Sequence, residues 1–162
     1  MPEKISVLFV CLGNICRSTM AEGVFRSLVN KPPYQGLIYK VDSCGTGAYH
    51  TGDEPDDRTI STLENHGITD YTHAARKVRQ SDFDTFDYIF AMDRSNLSDL
   101  QRYNKTNSKA KLMLFGEYSG IPGKKEVVQD PYYGGRDGFE TAYKQCLRFS
   151  TNFLGEVFPD VK

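Results

Sequence analysis

The stretch Val7-Leu8-Phe9-Val10-Cys11-Leu12-Gly13-Asn14-Ile15-Cys16-Arg17-Ser18 decides how this chain folds. Four consecutive apolar residues describe a strand buried on both faces, and the run halts at a cysteine. Gly13 and Asn14 follow, two residue types that enter left-handed backbone readily. Beyond Arg17 and Ser18, the residues Met20, Ala21, Val24, Phe25 and Leu28 recur at helical spacing. The order is strand, tight loop, helix.

A loop that opens a helix presents unpaired backbone N–H groups, and the helix dipole behind them favours an anion such as phosphate. Arg17 adds a planar fork that matches two phosphate oxygens. Cys11, at the mouth of the same loop, feels the same positive potential, which favours the nucleophilic thiolate. An anion cradle with a nucleophile at its base suits phosphoryl transfer. With four cysteines in the chain, a Cys six positions before an Arg arises by chance in roughly one sequence in five. The weight therefore rests on the context: a buried strand before, Gly-Asn inside, and serine plus an amphipathic helix after.

The chain has 162 residues, 39% hydrophobic and 25% charged, which fits one globular domain with a substantial core. A formal charge of -1 and a pI near 6.3 give no electrostatic case for nucleic acid or an anionic membrane. The first six residues lack the pattern of a signal peptide, and no apolar run approaches the ~18 residues of a membrane span, so the expected location is cytoplasmic. Cys11, Cys16, Cys44 and Cys146 are too few and irregular for a disulfide scaffold, and no Cys-x-x-Cys pair argues for structural zinc. No metal or cofactor is expected.

Working outward, further strands are expected at residues 37–44, 86–92 and 111–115, alternating with helices. The first helix should end near Asn30 before Pro32 and Pro33; a second starts at the acidic residues 53–57 and stops at Gly67. A third runs from Arg94 through Leu97 and Leu100, and a long amphipathic one from Phe139 to Val157. Residues 68–80, with His73, Arg76, Lys77 and Arg79, read as an irregular solvated segment, and residues 116–128 as a long, mobile, exposed connection. Alternating strands and helices predict an α/β domain with a parallel sheet and right-handed crossovers. Ligands then bind beyond the carboxyl ends of the strands, here Cys11, Ser43, Asp93 and Gly116.

Cys11-Leu12-Gly13-Asn14-Ile15-Cys16-Arg17-Ser18 resembles the signature of the low-molecular-weight protein tyrosine phosphatases, and Asp130-Pro131-Tyr132-Tyr133-Gly134 resembles the loop that carries that family's general acid. The likeness extends through Val41-Asp42-Ser43 and from Phe86-Asp87-Tyr88-Ile89 to Met92-Asp93, and is nearest to eukaryotic, fungal-type members. Two positions depart from the family pattern: Thr19 stands where proline is usual, and Gly23 where alanine is usual. The resemblance implies a single domain over residues 1–162, built as a four-stranded parallel sheet with helices on both faces.

It also implies a cysteine-dependent phosphomonoesterase, with acid phosphatase-type activity, acting on protein phosphotyrosine and small aryl phosphates. Cys11 would form a phosphocysteine, held by the N–H groups of Leu12, Gly13, Asn14, Ile15, Cys16 and Arg17 and by the Arg17 side chain. Asp130 would protonate the leaving oxygen, giving a bell-shaped rate profile with an acidic optimum. Ser18 would assist departure of the thiolate. By the same resemblance Asn14, Ser43 and His73 support the loop, Leu12, Ile15, Tyr49, Tyr132 and Tyr133 wall a slot for a phenyl phosphate, and Cys11 with Cys16 forms a reversible redox pair. The implied partners are tyrosine-phosphorylated proteins, with inorganic phosphate and similar oxyanions as inhibitors. A monomer is expected, with a weak dimer left open. Two other readings stay open: an arsenate reductase on the same scaffold, which needs resolving cysteines on a mobile segment, and a phosphotyrosine-binding module without turnover.

Overall fold

Val7, Leu8, Phe9 and Val10 are all fully buried, as their unbroken apolar run requires of a strand covered on both faces. They form the middle of β1 (Ile5–Cys11) in a computed structural model that describes residues 4–104, 108–131 and 137–161. β1 pairs in parallel with β2 (Ile38–Gly45) and β3 (Tyr88–Ala91), and β3 pairs in parallel with β4 (Lys111–Leu114). The sheet order is β2-β1-β3-β4. In this register Cys11 lies opposite Gly45, and Val10 opposite both Cys44 and Ala91. The strand ends named from the sequence therefore share one rim.

Alternation along the strands assigns the two faces. Val7, Phe9 and Phe90 turn toward α1 (Arg17–Val29) and α5 (Gly138–Val157), where Phe9 meets Phe25 at 5.5 Å and Phe115 at 5.0 Å between ring centroids. Leu8, Val10, Ile89 and Ala91 turn the other way, toward Phe83 of α3 (Asp82–Thr85) and Leu100 of α4 (Arg94–Tyr103). Each fully buried Phe or Leu contributes about 1.5–3 kcal/mol of transfer free energy, so the two layers fix the register of β1 strongly. The remaining helix, α2 (Asp57–Asn65), begins where the acidic residues predict, with Asp56 accepting the Arg58 N–H as its cap. Among the described residues no helix is long and apolar enough to cross a membrane.

The structure corrects two expectations. Residues 68–80 are solvated only in part: Lys77 and Arg79 are exposed, but Gly45 N–H donates to Arg76 O at 2.8 Å and Val78 N–H to Gly45 O at 2.8 Å, docking the segment on the end of β2. The cause is charge pairing, because Arg76 reaches Asp82 at 2.9 Å and Asp42 at 3.1 Å. The same pairing brings in the short α3, which the sequence reading lacked. The connection at 116–128 is exposed only at its tip, residues 120–125. Its base is anchored by the Glu126 N–H to Gly116 O bond at 3.0 Å, by fully buried Val128, whose N–H donates to Met92 O at 2.7 Å, and by the Arg148–Glu126 ion pair.

Candidate active site

The turn from β1 into α1 is made by Asn14, whose φ of 60° places it in left-handed backbone, with Cys16 as the helix N-cap. Asparagine is suited to this because its side chain bonds locally, and here every polar atom of that side chain is engaged. Its Nδ2 donates to Ser18 Oγ at 2.9 Å and Ser43 Oγ at 3.0 Å, while Oδ1 accepts from His73 Nε2 at 2.8 Å and Arg76 N at 3.0 Å. The loop also needs Gly45 beside it, since a Cβ there would lie 2.4 Å from Leu12 O. Two further bonds tie loop to rim: Thr46 N–H to Cys11 O at 2.9 Å and Gly47 N–H to Leu12 O at 3.0 Å.

Cys11 is buried at the strand end, with Sγ 3.0 Å from Ser18 Oγ and accepting the Asn14 N–H at 3.3 Å. Ser18 Oγ, which accepts an N–H from Asn14, keeps its own hydrogen available for the sulfur, so a hydroxyl and a backbone amide meet at Cys11 Sγ. The neighbouring Cys16 thiol is different: burial first, then the charges of Asp56, Cys11 and Asp130, push it up to about 12. It stays protonated at neutral pH.

Behind Asn14 lies a second layer. Ser43 Oγ passes its hydrogen to Glu22 Oε1 at 2.7 Å, and Tyr71 OH donates to the same oxygen at 2.7 Å. Arg26 Nε donates to Glu22 Oε2 at 2.8 Å. Glu22 is fully buried, and a buried carboxylate requires such partners. Burial and the adjacent Glu22 charge push the Tyr71 hydroxyl well above its ordinary range, so it remains a donor. His73 Nδ1 faces Glu22 Oε1 at 3.4 Å and Asp42 Oδ1 at 3.7 Å. Among the described residues, Glu22, Asp42 and His73 form the one group with metal-like spacing, but their carboxylate oxygens already accept from Ser43, Tyr71, Arg26 and Arg76.

Arg17 is buried, and its Nη1 donates to Asp93 Oδ2 at 2.5 Å and Val128 O at 3.1 Å. Burial works against its charge, but Cys11 and Asp93 outweigh that and hold the guanidinium above even its usual range. Asp93 has a second task, accepting the Asn96 N–H at 2.8 Å to cap α4. Cys11, Arg17 and half-buried Asp130 meet in a cavity of about 310 Å³. Leu12, Gly13, Ile15, Cys16, Tyr49 and His50 complete its lining, with Leu12 and Tyr49 strongly exposed at the mouth.

The sequence reading thus named most of the groups the fold brings together, while Tyr132 and Tyr133 lie outside the described residues. It missed His50 as a wall, Asp93 as the partner of Arg17, and Glu22, Tyr71, Asp42 and Arg76 as the layer behind the loop. Two signals were available: a lone acid in the apolar face Met20-Ala21-Glu22-Gly23-Val24-Phe25, and an aspartate closing β3 at the binding rim.

A family model described as low molecular weight phosphotyrosine protein phosphatase matches residues 6–162. A relative of that name from Schizosaccharomyces pombe is 54% identical over 157 residues, spanning 97% of this chain and 99% of the relative. Among solved structures, Primo-1 matches with a TM-score of 0.85 at 44% identity over 94% of this chain and 97% of its own. A Drosophila arginine phosphatase also matches with a TM-score of 0.85, at 38% identity over 95% and 98%. Sequence and architecture agree along nearly the whole length, and the chain belongs to the low molecular weight phosphotyrosine protein phosphatase family.

Proposed function

We propose that the chain hydrolyses phosphotyrosine in proteins, and small aryl phosphates, through a phosphocysteine on Cys11. The observation that carries this is the placement of Cys11 Sγ, with donors at 3.0 Å and 3.3 Å, in one cavity with Arg17 and Asp130. Cys11 thiolate attacks phosphorus, the P–O bond to the aryl group breaks, and Asp130 gives its proton to the leaving oxygen. Water then attacks the phosphocysteine, Asp130 takes back a proton, and the S–P bond breaks while the Ser18 hydrogen bond stabilises the departing thiolate. Arg17 and the loop amides hold the other phosphoryl oxygens and favour the transition state.

The apolar walls Leu12, Ile15 and Tyr49 match a phenyl ring, which favours phosphotyrosine over the phosphoguanidine substrate implied by the name of the Drosophila relative. Against an arsenate reductase stand Cys44 and Cys146, both fully buried with thiols pushed up by burial, unlike mobile resolving cysteines. On the same reading residues 1–162 act as one cytoplasmic, monomeric domain, and inorganic phosphate and similar oxyanions compete with substrate. Peroxide converts Cys11 thiolate to a sulfenic acid, and the Cys16 thiol condenses with it, releasing water and closing a disulfide that dithiothreitol reopens.

The test is a panel of phosphotyrosine, phosphoserine, phosphoarginine and p-nitrophenyl phosphate run on the parent enzyme, Cys11→Ser and Asp130→Ala. Phosphotyrosine and p-nitrophenyl phosphate should be turned over with an acidic optimum, Cys11→Ser should be inactive, and Asp130→Ala should lose kcat more than substrate binding. Activity retained by Cys11→Ser, or by enzyme alkylated on that cysteine, would refute the mechanism.

A further inference from the structure

Asp130 has open space on two sides. It lines the catalytic cavity with Cys11 and Arg17, and it also lines a second cavity of about 310 Å³ behind it, walled by Val127, Gln129, Pro131, Thr141 and Gln145 among others. The segment that carries the acid is therefore a thin partition, and close packing does not fix its position.

Hydrogen bonds to a single peptide group do. The carbonyl of Val127 and the N–H of Val128 belong to one rigid plane, because the bond between them does not rotate. Val127 O accepts from Gln145 Nε2 of α5 at 3.0 Å, and Val128 N–H donates to Met92 O at 2.7 Å, just beyond β3. With both edges of that plane tied, the next carbonyl, Val128 O, meets Arg17 Nη1 at 3.1 Å, and Asp130 follows shortly after it. Gln145 is itself steadied from α5. Its Nε2 lies 3.4 Å from Glu126 Oε1, and Arg148, one turn along the helix, donates to the same oxygen at 2.8 Å and to Ser119 O at 2.7 Å. The bond from Arg148 holds the Glu126 carboxyl below its ordinary range, so it remains an acceptor.

Resting on the reading of Asp130 as the general acid, we infer that Gln145 is a positioning residue for that acid: by tying Val127 O to α5 it holds the Asp130 segment forward against the catalytic cavity and out of the space behind. Gln145 touches no substrate and acts through Asp130. Without its donor the peptide plane is tied at one edge only and can hinge about the Met92 bond. Proton transfer is steeply sensitive to such a displacement, whereas phosphate binding is not, because Arg17 keeps Asp93.

The experiment measures kcat/KM for p-nitrophenyl phosphate, whose leaving oxygen departs readily as an anion, and for phenyl phosphate, whose leaving oxygen needs the proton. Gln145→Met keeps the length of the side chain and loses the donor, while Gln145→Lys keeps a donor. Gln145→Met should lose roughly 10- to 30-fold on phenyl phosphate and less than about 3-fold on p-nitrophenyl phosphate, with the inhibition constant for inorganic phosphate within about 2-fold of the parent. Gln145→Lys should return phenyl phosphate turnover to within about 3-fold of the parent. In an Asp130→Ala background, where no acid remains to be placed, Gln145→Met should cost less than about 2-fold on either substrate. Equal losses on the two substrates, no loss on phenyl phosphate, a Gln145→Lys enzyme no better than Gln145→Met, or the full loss repeated in the Asp130→Ala background would overturn the assignment. Should Asp130→Ala itself treat the two substrates as the parent does, the reading of Asp130 as the acid fails and takes this inference with it. Should Asp130→Ala separate them while Gln145→Met does not, the inference alone falls.

Discussion

Replacing Asn14 by alanine removes four side-chain hydrogen bonds and leaves a Cβ-bearing residue at φ 60° without the local bonding that eases that conformation. At about 1 kcal/mol net for each bond, and about 1–2 kcal/mol for the left-handed backbone, the loss reaches about 5 kcal/mol. In a domain of this size each kcal/mol lowers Tm by about 2–4 °C, so the variant should melt about 10–20 °C lower. Glycine at the same position loses the same bonds but escapes the backbone strain. Its unfolded chain is freer by about 0.4–1 kcal/mol, which leaves Asn14→Gly about 0.5–1 kcal/mol more stable than Asn14→Ala. Function should fall with stability, because the Asn14 amide that donates to Cys11 Sγ is aimed by the same bonds. A loss of about 2 kcal/mol of transition-state stabilisation corresponds to a ~30-fold drop in kcat/KM on p-nitrophenyl phosphate. Calorimetry and steady-state kinetics on the two variants check this. An alanine variant that melts within about 3 °C of the parent, or above the glycine variant, would refute the reasoning.

Asp93→Asn keeps the acceptor for the α4 cap but removes the charge that orients Arg17, so the inhibition constant for inorganic phosphate should rise about tenfold; an unchanged constant would show that the pair does not position the guanidinium. Cys16, Cys44 and Cys146 all have thiols pushed above the ordinary 9.0, so above that pH the folded chain holds more protons than the unfolded chain. Stability from this source is complete below about pH 9 and is lost as pH rises toward the folded values, by up to ~1.4 kcal/mol per pH unit for each thiol. Urea midpoints should fall steadily between about pH 9 and pH 11, and a flat profile would sink the argument.

What the sequence made legible was short-range. The run Val7-Leu8-Phe9-Val10 has only one way to be covered on both faces, and Gly13-Asn14 mark the turn that only such residues make easily. The rim followed from topology alone, since parallel strands place Cys11, Ser43 and Asp93 at one edge. The hidden part is charge that looks like surface. Arg76 sits in a basic run that normally faces water, and nothing local says that Asp42 and Asp82 enclose it. Arg17 and Asp93 are 76 positions apart, and Glu22 collects Ser43, Tyr71 and Arg26 from three separate stretches.

These misses share one cause: the loop that grips phosphate is held from behind by ion pairs whose members are legible singly and not as pairs. The two departures from the family pattern fit the same layer. Thr19 lacks the fixed φ of proline, but its Oγ1 donates to Cys16 O at 2.9 Å and ties the first helical turn to the loop by a hydrogen bond instead. Gly23 lacks a Cβ, and one placed there would lie 2.8 Å from Leu63 Cδ1 and 3.5 Å from Tyr71 Cγ. The distance to Tyr71 is ordinary contact, so a methyl at position 23 would ask only the end of the Leu63 side chain to shift, leaving the Tyr71 hydroxyl on Glu22 and, through Ser43, the brace on Asn14.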